Sequence, residues 1–142
     1  MVEENKQQTA RTMTNIEIER MGALVQSIST FMVNLHLREV IEMQPETIMA
    51  LVQCLAEFYR TMRPLVQDAE QKSSLDVRMT TLREDAAQAN RHNLQCKNIG
   101  QKEHMCFPED LQDEINKLYD DLLDLRQELG LGMIFENRKT IR

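Results

Sequence analysis

Residues Pro108 to Gly130 read PEDLQDEINKLYDDLLDLRQELG, and the spacing of their apolar side chains indicates the fold class. Leucine or isoleucine recurs in steps of four and three, which keeps one row of side chains on one face of a helix. Tyr119 and Leu123 make this row wider than a two-helix seam. The stretch therefore predicts a helix packed in a bundle or in a coiled coil of more than two strands. The row consists of Leu111, Ile115, Leu118, Leu122, Leu125 and Leu129.

Both ends of this stretch carry helix-end signals. Pro108 suits the first helical position, where its missing N–H group costs nothing, and Glu109 and Asp110 complement the partial positive charge of a helix N-terminus. At the other end, Gly130 can adopt the left-handed conformation that terminates a helix, and Leu131 can then fold back against the last turn. We therefore expect the helix to fill the whole stretch.

Composition indicates a single soluble helical domain. The chain has 142 residues with four glycines and three prolines, so it has few residues suited to tight turns. No window approaches the roughly 20 apolar residues of a membrane span, and no export signal precedes the three cysteines. We expect a soluble cytoplasmic protein without a substantial sheet, in which the cysteines are reduced thiols.

The negative charge is concentrated in the quoted stretch. The chain has a net charge of −6, and residues 108–130 contain eight acidic and two basic residues, which equals the whole net charge. A helix of this kind repels nucleic-acid phosphates, so binding of DNA or RNA through this face is disfavoured. A solvated outer face is the simpler interpretation of the same charges.

The N-terminal part of the chain predicts an arm followed by a helix. Residues 1–13 are polar and lack a hydrophobic period, which is typical of a flexible arm. Thr14 and Glu17 have the spacing of a capping box and precede an apolar series of helical period. The sequence therefore predicts a first helix over residues 14–37.

The middle of the chain predicts two further helices. An apolar row runs straight through Pro64, so we expect one helix over residues 45–72 that is kinked at this proline. Residues 74–95 predict a third helix whose apolar row is too sparse to close the core of a monomer. That row consists of Leu75, Met79, Leu82, Ala86 and Ala89.

Together these patterns predict an all-α, elongated bundle of about four helices with coiled-coil-like packing over residues 14–130. The tail at residues 131–142 contains an apolar cluster followed by three basic residues. An exposed apolar cluster is costly, so we expect the tail to dock on its own bundle or on a neighbouring subunit. This uneven apolar coverage predicts a homo-oligomer, a complex with another protein, or both. The cluster consists of Met133, Ile134 and Phe135.

Two histidines and two cysteines lie within fifteen residues and form the most specific candidate site. His92 and Cys96 are one helical turn apart, and His104 and Cys106 flank Met105. Two imidazoles and two thiolates make a closed tetrahedral set for structural zinc. The spacing differs from the common zinc motifs, so exposed histidines and small apolar cysteines are the alternative. His92 and Cys96 also have the spacing of a thiol nucleophile and its base, without an evident third catalytic group.

Pairs of carboxylates recur on the last predicted helix, as they do in helical magnesium-dependent hydrolases of nucleotides. The inward row of this helix is leucine, however, so we expect these carboxylates to face solvent. No glycine motif that binds phosphate is present to support a nucleotide site. The pairs are Glu109 with Asp113, Asp110 with Glu114, Asp120 with Asp124, and Asp124 with Glu128.

The patterns favour a non-enzymatic interaction protein, either a structural or an adaptor subunit, that associates with itself. Its acidic last helix would supply the contact surface through Asp120, Asp121 and Asp124, and one form of this hypothesis is a decoy for a basic nucleic-acid-binding protein. The first alternative is a small helical subunit or regulator associated with nucleic acid, and the second is a metal-dependent helical nucleotide hydrolase. No cofactor is expected apart from structural zinc. The first alternative would use Arg78, Arg83, Arg91, Lys97 and Lys102.

Overall fold

The structure, a computed structural model, describes residues 14–37 and 44–131. Within these ranges the chain forms four α-helices, two short 3-10 helices and no strand, which confirms the predicted all-α bundle. None of the helices in the described ranges is both long and apolar enough to cross a membrane. The α-helices are α1 (Asn15–Leu37), α2 (Glu46–Met62), α3 (Ala69–Asn98) and α4 (Glu109–Glu128), and the 3-10 helices are Arg63–Leu65 and Lys102–His104.

Helix α2 lies at the centre of the bundle, because it packs against α1, α3 and α4. All of its buried side chains are apolar. The Phe58 ring on α2 meets the Tyr119 ring on α4 edge to face, with 6.4 Å between their centroids. The Tyr119 hydroxyl in turn donates a hydrogen bond of 3.3 Å to the backbone carbonyl of Val25 on α1. Three of the four helices therefore meet around one buried aromatic pair.

The N-terminal ends of α1 and α4 lie close to their predicted positions. The Thr14 side-chain oxygen accepts a hydrogen bond of 3.1 Å from the backbone N–H of Glu17, so Thr14 caps α1 as predicted. Pro108 is the residue that precedes α4 rather than its first helical residue. The helix therefore starts one position later than expected, with Glu109 and Asp110 in its first turn.

The C-terminal end of α4 forms as the sequence predicts. Gly130 has a φ of +71°, in the left-handed region that favours glycine. The backbone N–H of Gly130 donates to the carbonyl of Gln127, and that of Leu131 donates to the carbonyl of Arg126, both at 3.0 Å. This pair of bonds is a Schellman motif. Leu131 is buried in the core beyond it, so the chain folds back after the helix.

The prediction of one helix kinked at Pro64 is wrong, because the α-helix ends there instead. Helix α2 stops at Met62, and Pro64 lies in the following 3-10 helix. Proline has no N–H group to donate to the carbonyl of Arg60. A new helix then starts at Asp68, whose side chain accepts a hydrogen bond of 3.2 Å from the backbone N–H of Glu70. The apolar row in the sequence continues past Pro64 because the buried side chains of α2 and α3 belong to the same core.

A cluster of three side chains fixes the turn between α2 and α3. Arg63 Nε and Nη2 donate to the two carboxylate oxygens of Asp76 at 2.7 and 2.9 Å. The Tyr59 hydroxyl donates to the same carboxylate. The hydrogen bonds from Arg63 and then from Tyr59 lower the pKa of Asp76 to about 2. The carboxylate therefore stays ionised and holds α3 against the end of α2.

Helix α3 is longer at both ends than the predicted residues 74–95, since it spans Ala69–Asn98. Its sparse apolar row is buried, and α3 packs against both α2 and α4. Asn93 and Cys96 extend the buried row towards the C-terminus. The polar Asn93 in a buried position interrupts the apolar period in the sequence. Coverage of this helix therefore requires no second chain.

The predicted arm at residues 1–13 lies outside the described residues. The same holds for the predicted docking cluster of Met133, Ile134 and Phe135. Of the predicted tail, Leu131 alone is described, and it is buried against the core.

Candidate functional site

The outer face of α4 carries a row of exposed carboxylates. The leucines of the same helix face the core, where Leu111, Leu118 and Leu122 are at most 2% exposed. Lys117 is the exposed basic residue on this helix. We give the name acidic row to five of the exposed carboxylates, which are Glu109, Asp113, Asp121, Asp124 and Glu128.

One member of the acidic row forms an ion pair across the interface of α3 and α4. Arg78 Nη1 lies 2.5 Å from Asp121 Oδ2, and the two side chains are 33% and 52% exposed. An ion pair with this exposure adds little to the free energy of unfolding, because water screens both charges. The ion pair instead fixes the position of the Arg78 guanidinium beside the acidic row.

Two of the five basic residues that define the nucleic-acid alternative are engaged within the chain. Arg78 is paired with Asp121, and Lys97 Nζ lies 2.5 Å from Gln44 Oε1. The other three are exposed, and they are Arg83, Arg91 and Lys102. Among the described residues, a nucleic-acid surface would therefore depend on these three exposed cations.

Two carboxylates of α4 turn partly inward and do not belong to the acidic row. Asp120 and Glu114 are half-buried, and each has one carboxylate oxygen that is buried without a hydrogen bond. Asp120 therefore differs from Asp121 and Asp124, with which the sequence pattern groups it as a contact residue. Substituting Asp120 would disturb the interior as well as the surface.

Glu114 on α4 meets Asp85 on α3 across the helix interface. Burial raises the pKa of Glu114 most, followed by the hydrogen bond and charge of Asp85 and then by the charge of Asp110, to about 7. Two carboxylates at such close range are both charged only at a cost, which favours the protonated form of Glu114.

A small cavity borders Glu114. It has a volume of about 150 Å³, which is below the roughly 300 Å³ at which small-molecule pockets usually start. Val77 forms its apolar edge and is 63% exposed. The cavity is therefore sized for a single side chain rather than for a nucleotide. Its walls are Val77, Arg78, Thr81, Glu114 and Lys117.

A larger open groove lies elsewhere, between α1 and α2, and has a volume of about 580 Å³. Among its lining residues the charged ones are Arg20, Glu57 and Arg60. The lining of this groove contains one carboxylate, that of Glu57. The carboxylate pairs that motivated the hydrolase hypothesis lie on α4 instead.

The four candidate zinc ligands differ in their contacts and in their exposure. His92 Nε2 lies 3.6 Å from Cys96 Sγ and 2.9 Å from the backbone carbonyl of His104. The first contact is the one that the helical spacing predicts. Cys96 is buried, whereas Cys106 is exposed. Across the residues that the structure describes, no three His, Cys, Asp or Glu side chains are grouped to hold a metal ion.

Asn93 on α3 connects this helix to the loop at Cys106. Its side chain is 1% exposed. Asn93 Nδ2 donates to the backbone carbonyl of Cys106 at 2.8 Å, and the backbone N–H of Cys106 donates to Asn93 Oδ1 at 2.9 Å. The side-chain amide therefore forms the same two hydrogen bonds with Cys106 that a residue of a neighbouring β-strand would form.

The contact of Asp85 with Glu114 and the hydrogen bonds of Asn93 with Cys106 are not evident from the sequence, for the same reason. Asp85 and Asn93 both act on residues that are more than ten positions away in the chain. The spacing of Asp110 and Glu114 marks one side of the carboxyl cluster, but no local pattern indicates which residue of α3 faces it. Contacts of this kind depend on the register between two helices.

Comparisons of this chain with protein-family models, with curated proteins and with solved structures find no match. A functional conclusion therefore depends on the chain's own residues.

Proposed function

We propose that this chain is a non-enzymatic helical interaction protein that binds basic protein segments through the acidic row of α4. The observation that carries this proposal is the position of five exposed carboxylates on one face of a helix whose leucines are buried. A row of like charges on a packed helix offers a partner a surface that does not change shape on binding.

The stability of the helix does not account for the whole acidic row. Glu128 lies in the last turn of α4, where the partial charge of the helix end is negative. A negative side chain there costs about 0.3–1 kcal/mol. A cationic partner would offset this repulsion, so Glu128 is easier to explain as part of a contact surface than as part of the fold.

The acidic row also defines what a partner must look like. Helix α4 has 20 residues, which corresponds to a length of roughly 30 Å at 1.5 Å per residue. The matching partner presents lysine or arginine side chains over a similar length. A protein that binds nucleic acid has such a surface, so the chain would compete with phosphate groups as a decoy.

Self-association is a second part of the proposal, and it rests on the tail. The Met133, Ile134 and Phe135 cluster is followed by three basic residues, which complement the acidic row of a second copy. Native mass spectrometry of the full chain would give its oligomeric state. The same spectra with and without a chelator would test the predicted structural zinc at His92, Cys96, His104 and Cys106.

A competition experiment tests the decoy function directly. A fluorescent lysine- and arginine-rich peptide is bound to duplex DNA, and the full chain is added at low salt. We expect the wild-type chain to release the peptide from the DNA, with an efficiency that falls steeply as salt rises. The test variant carries Asp121→Asn, Asp124→Asn and Glu128→Gln. We expect it to need at least about tenfold more protein for the same release, because about 1.4 kcal/mol of binding free energy corresponds to tenfold.

A matched control removes the same number of charges elsewhere. Glu19, Glu57 and Glu84 are exposed acids on α1, α2 and α3, and their replacement by glutamine leaves the same net charge as the test variant. Release that falls equally in both variants would show that total charge matters and that the acidic row is not a site. Release that is unchanged in the test variant would contradict the proposal altogether.

A further inference from the structure

The interface between α3 and α4 contains an acidic contact that the fold does not neutralise. Asp85 and Glu114 face each other across the two helices, and Asp110 lies one turn before Glu114 on the same helix. One oxygen of Glu114 is buried and accepts no hydrogen bond. A buried carboxylate oxygen without a donor is costly when charged and much less so when the group carries a proton.

The surrounding charged groups compensate Glu114 only in part. Arg78 on α3 and Lys117 on α4 line the same cavity as Glu114. The guanidinium of Arg78 is engaged with Asp121. Helix α2, which also packs against α4, has only apolar buried side chains. The acids that face Glu114 are therefore Asp85 and Asp110, and the cations are Arg78 and Lys117.

We propose that Glu114, at its contact with Asp85, is a proton-sensitive switch: a proton on Glu114 keeps α3 and α4 together, and loss of this proton loosens the middle of α4. With the proton in place, the Glu114 carboxyl group donates to Asp85. Without it, two negative charges meet in a half-buried position beside a cavity that admits water.

The sign and the pH window follow from the raised pKa of Glu114. The pKa rises from an ordinary value of 4.5 to about 7 in the folded chain. The folded state therefore binds more protons than the unfolded state between these values, so this contribution to stability is complete below pH 4.5 and is lost as pH rises through about 7. The switch operates around neutral pH.

The switch has a consequence for the acidic row, and this step rests on the proposed function. Arg78 lines the cavity with Glu114 and also pairs with Asp121, a member of the acidic row. Once Glu114 is ionised, it competes with Asp121 for the same guanidinium. The acidic row would then bind a cationic partner more tightly at pH 8 than at pH 5.

Hydrogen exchange on the full chain tests the switch without any partner, so its outcome is independent of the proposed function. Exchange of the α4 backbone amides is measured at pH 5 and at pH 8 for the wild type and for Glu114→Gln, a neutral mimic of the protonated side chain. At pH 5 we expect equal protection in the two proteins. At pH 8 we expect α4 of the wild type to exchange on the order of tenfold faster than α4 of the variant.

The control and the second variant keep the result unambiguous. Glu84→Gln removes one charge from the exposed position next to Asp85, and it should behave as the wild type does at both pH values. Asp85→Asn removes the other half of the contact and should protect α4 at pH 8 as Glu114→Gln does. Equal exchange in the wild type and in both contact variants at pH 8 would overturn the proposal.

Discussion

Asn93 is a buried polar side chain that holds the loop between α3 and α4 in place. It is 1% exposed and forms two hydrogen bonds with the backbone of Cys106, thirteen positions later in the chain. A buried amide of this kind satisfies its own polar groups and fixes the position of the loop backbone. The loop between α3 and α4 is therefore anchored to α3 through Asn93.

Replacement of Asn93 by alanine should destabilise the chain markedly. The change deletes two part-buried hydrogen bonds to the backbone of Cys106, so we expect a loss of about 1–3 kcal/mol in the free energy of unfolding. Urea denaturation followed by circular dichroism measures this loss. Gln95→Ala, at an exposed position of the same helix, should stay within about 0.5 kcal/mol of the wild type. Equal losses in the two variants would contradict this role of Asn93.

At the scale of the helix, the ends of α4 and α2 differ in how far local sequence decides them. Gly130 terminates α4 through a left-handed residue and two backbone hydrogen bonds, all within six positions. The end of α2 depends in addition on Arg63 and Asp76, which join the turn to the next helix. Pro64 removes a backbone donor where the α-helix ends, and the ion pair connects the turn that follows to α3.

A pair of glycine substitutions separates the two roles that glycine has in this chain. Gly130 has a φ of +71°, and a Cβ atom added to it would meet no other atom at contact distance, so Gly130→Ala meets strain without a clash and should cost about 1–2 kcal/mol. Gly22 lies inside α1, and an added Cβ would lie 3.7 Å from Arg126 Nη2, an ordinary contact. Gly22→Ala should therefore stabilise the chain by about 0.5–1 kcal/mol. Thermal unfolding of both variants gives the two signs, and the same sign in both would refute this account of the two glycines.

At the scale of the whole molecule, the bundle depends on α2 because this helix contacts the other three. Phe58 on α2 is fully buried and meets Tyr119, which itself bonds to α1. The core is therefore continuous from α1 to α4. A chain with one continuous core is expected to unfold in one cooperative step.

Truncation of Phe58 should weaken all four helices together. We expect Phe58→Ala to lower the free energy of unfolding by about 3–5 kcal/mol, because it removes a large buried side chain and leaves a cavity at the centre. Urea unfolding monitored by helicity and by tyrosine fluorescence should still give a single shared midpoint. Gln53→Ala, at an exposed position of α2, serves as the control. Two separate midpoints would show that the helices form independent units.

The order of the amino acids was enough to predict the fold class, the apolar rows and the helix ends at Thr14 and Gly130, because these features depend on residues within one or two turns of each other. It also indicated that the leucines of α4 face inward and that most of its acids face outward. Helix packing, in contrast, joins the turn after Pro64 to α3 through Arg63 and Asp76, covers the sparse row of α3 within the chain, and brings Asp85 to Glu114. Each of these depends on how one helix lies against another, and the period of a single helix contains no information about that register.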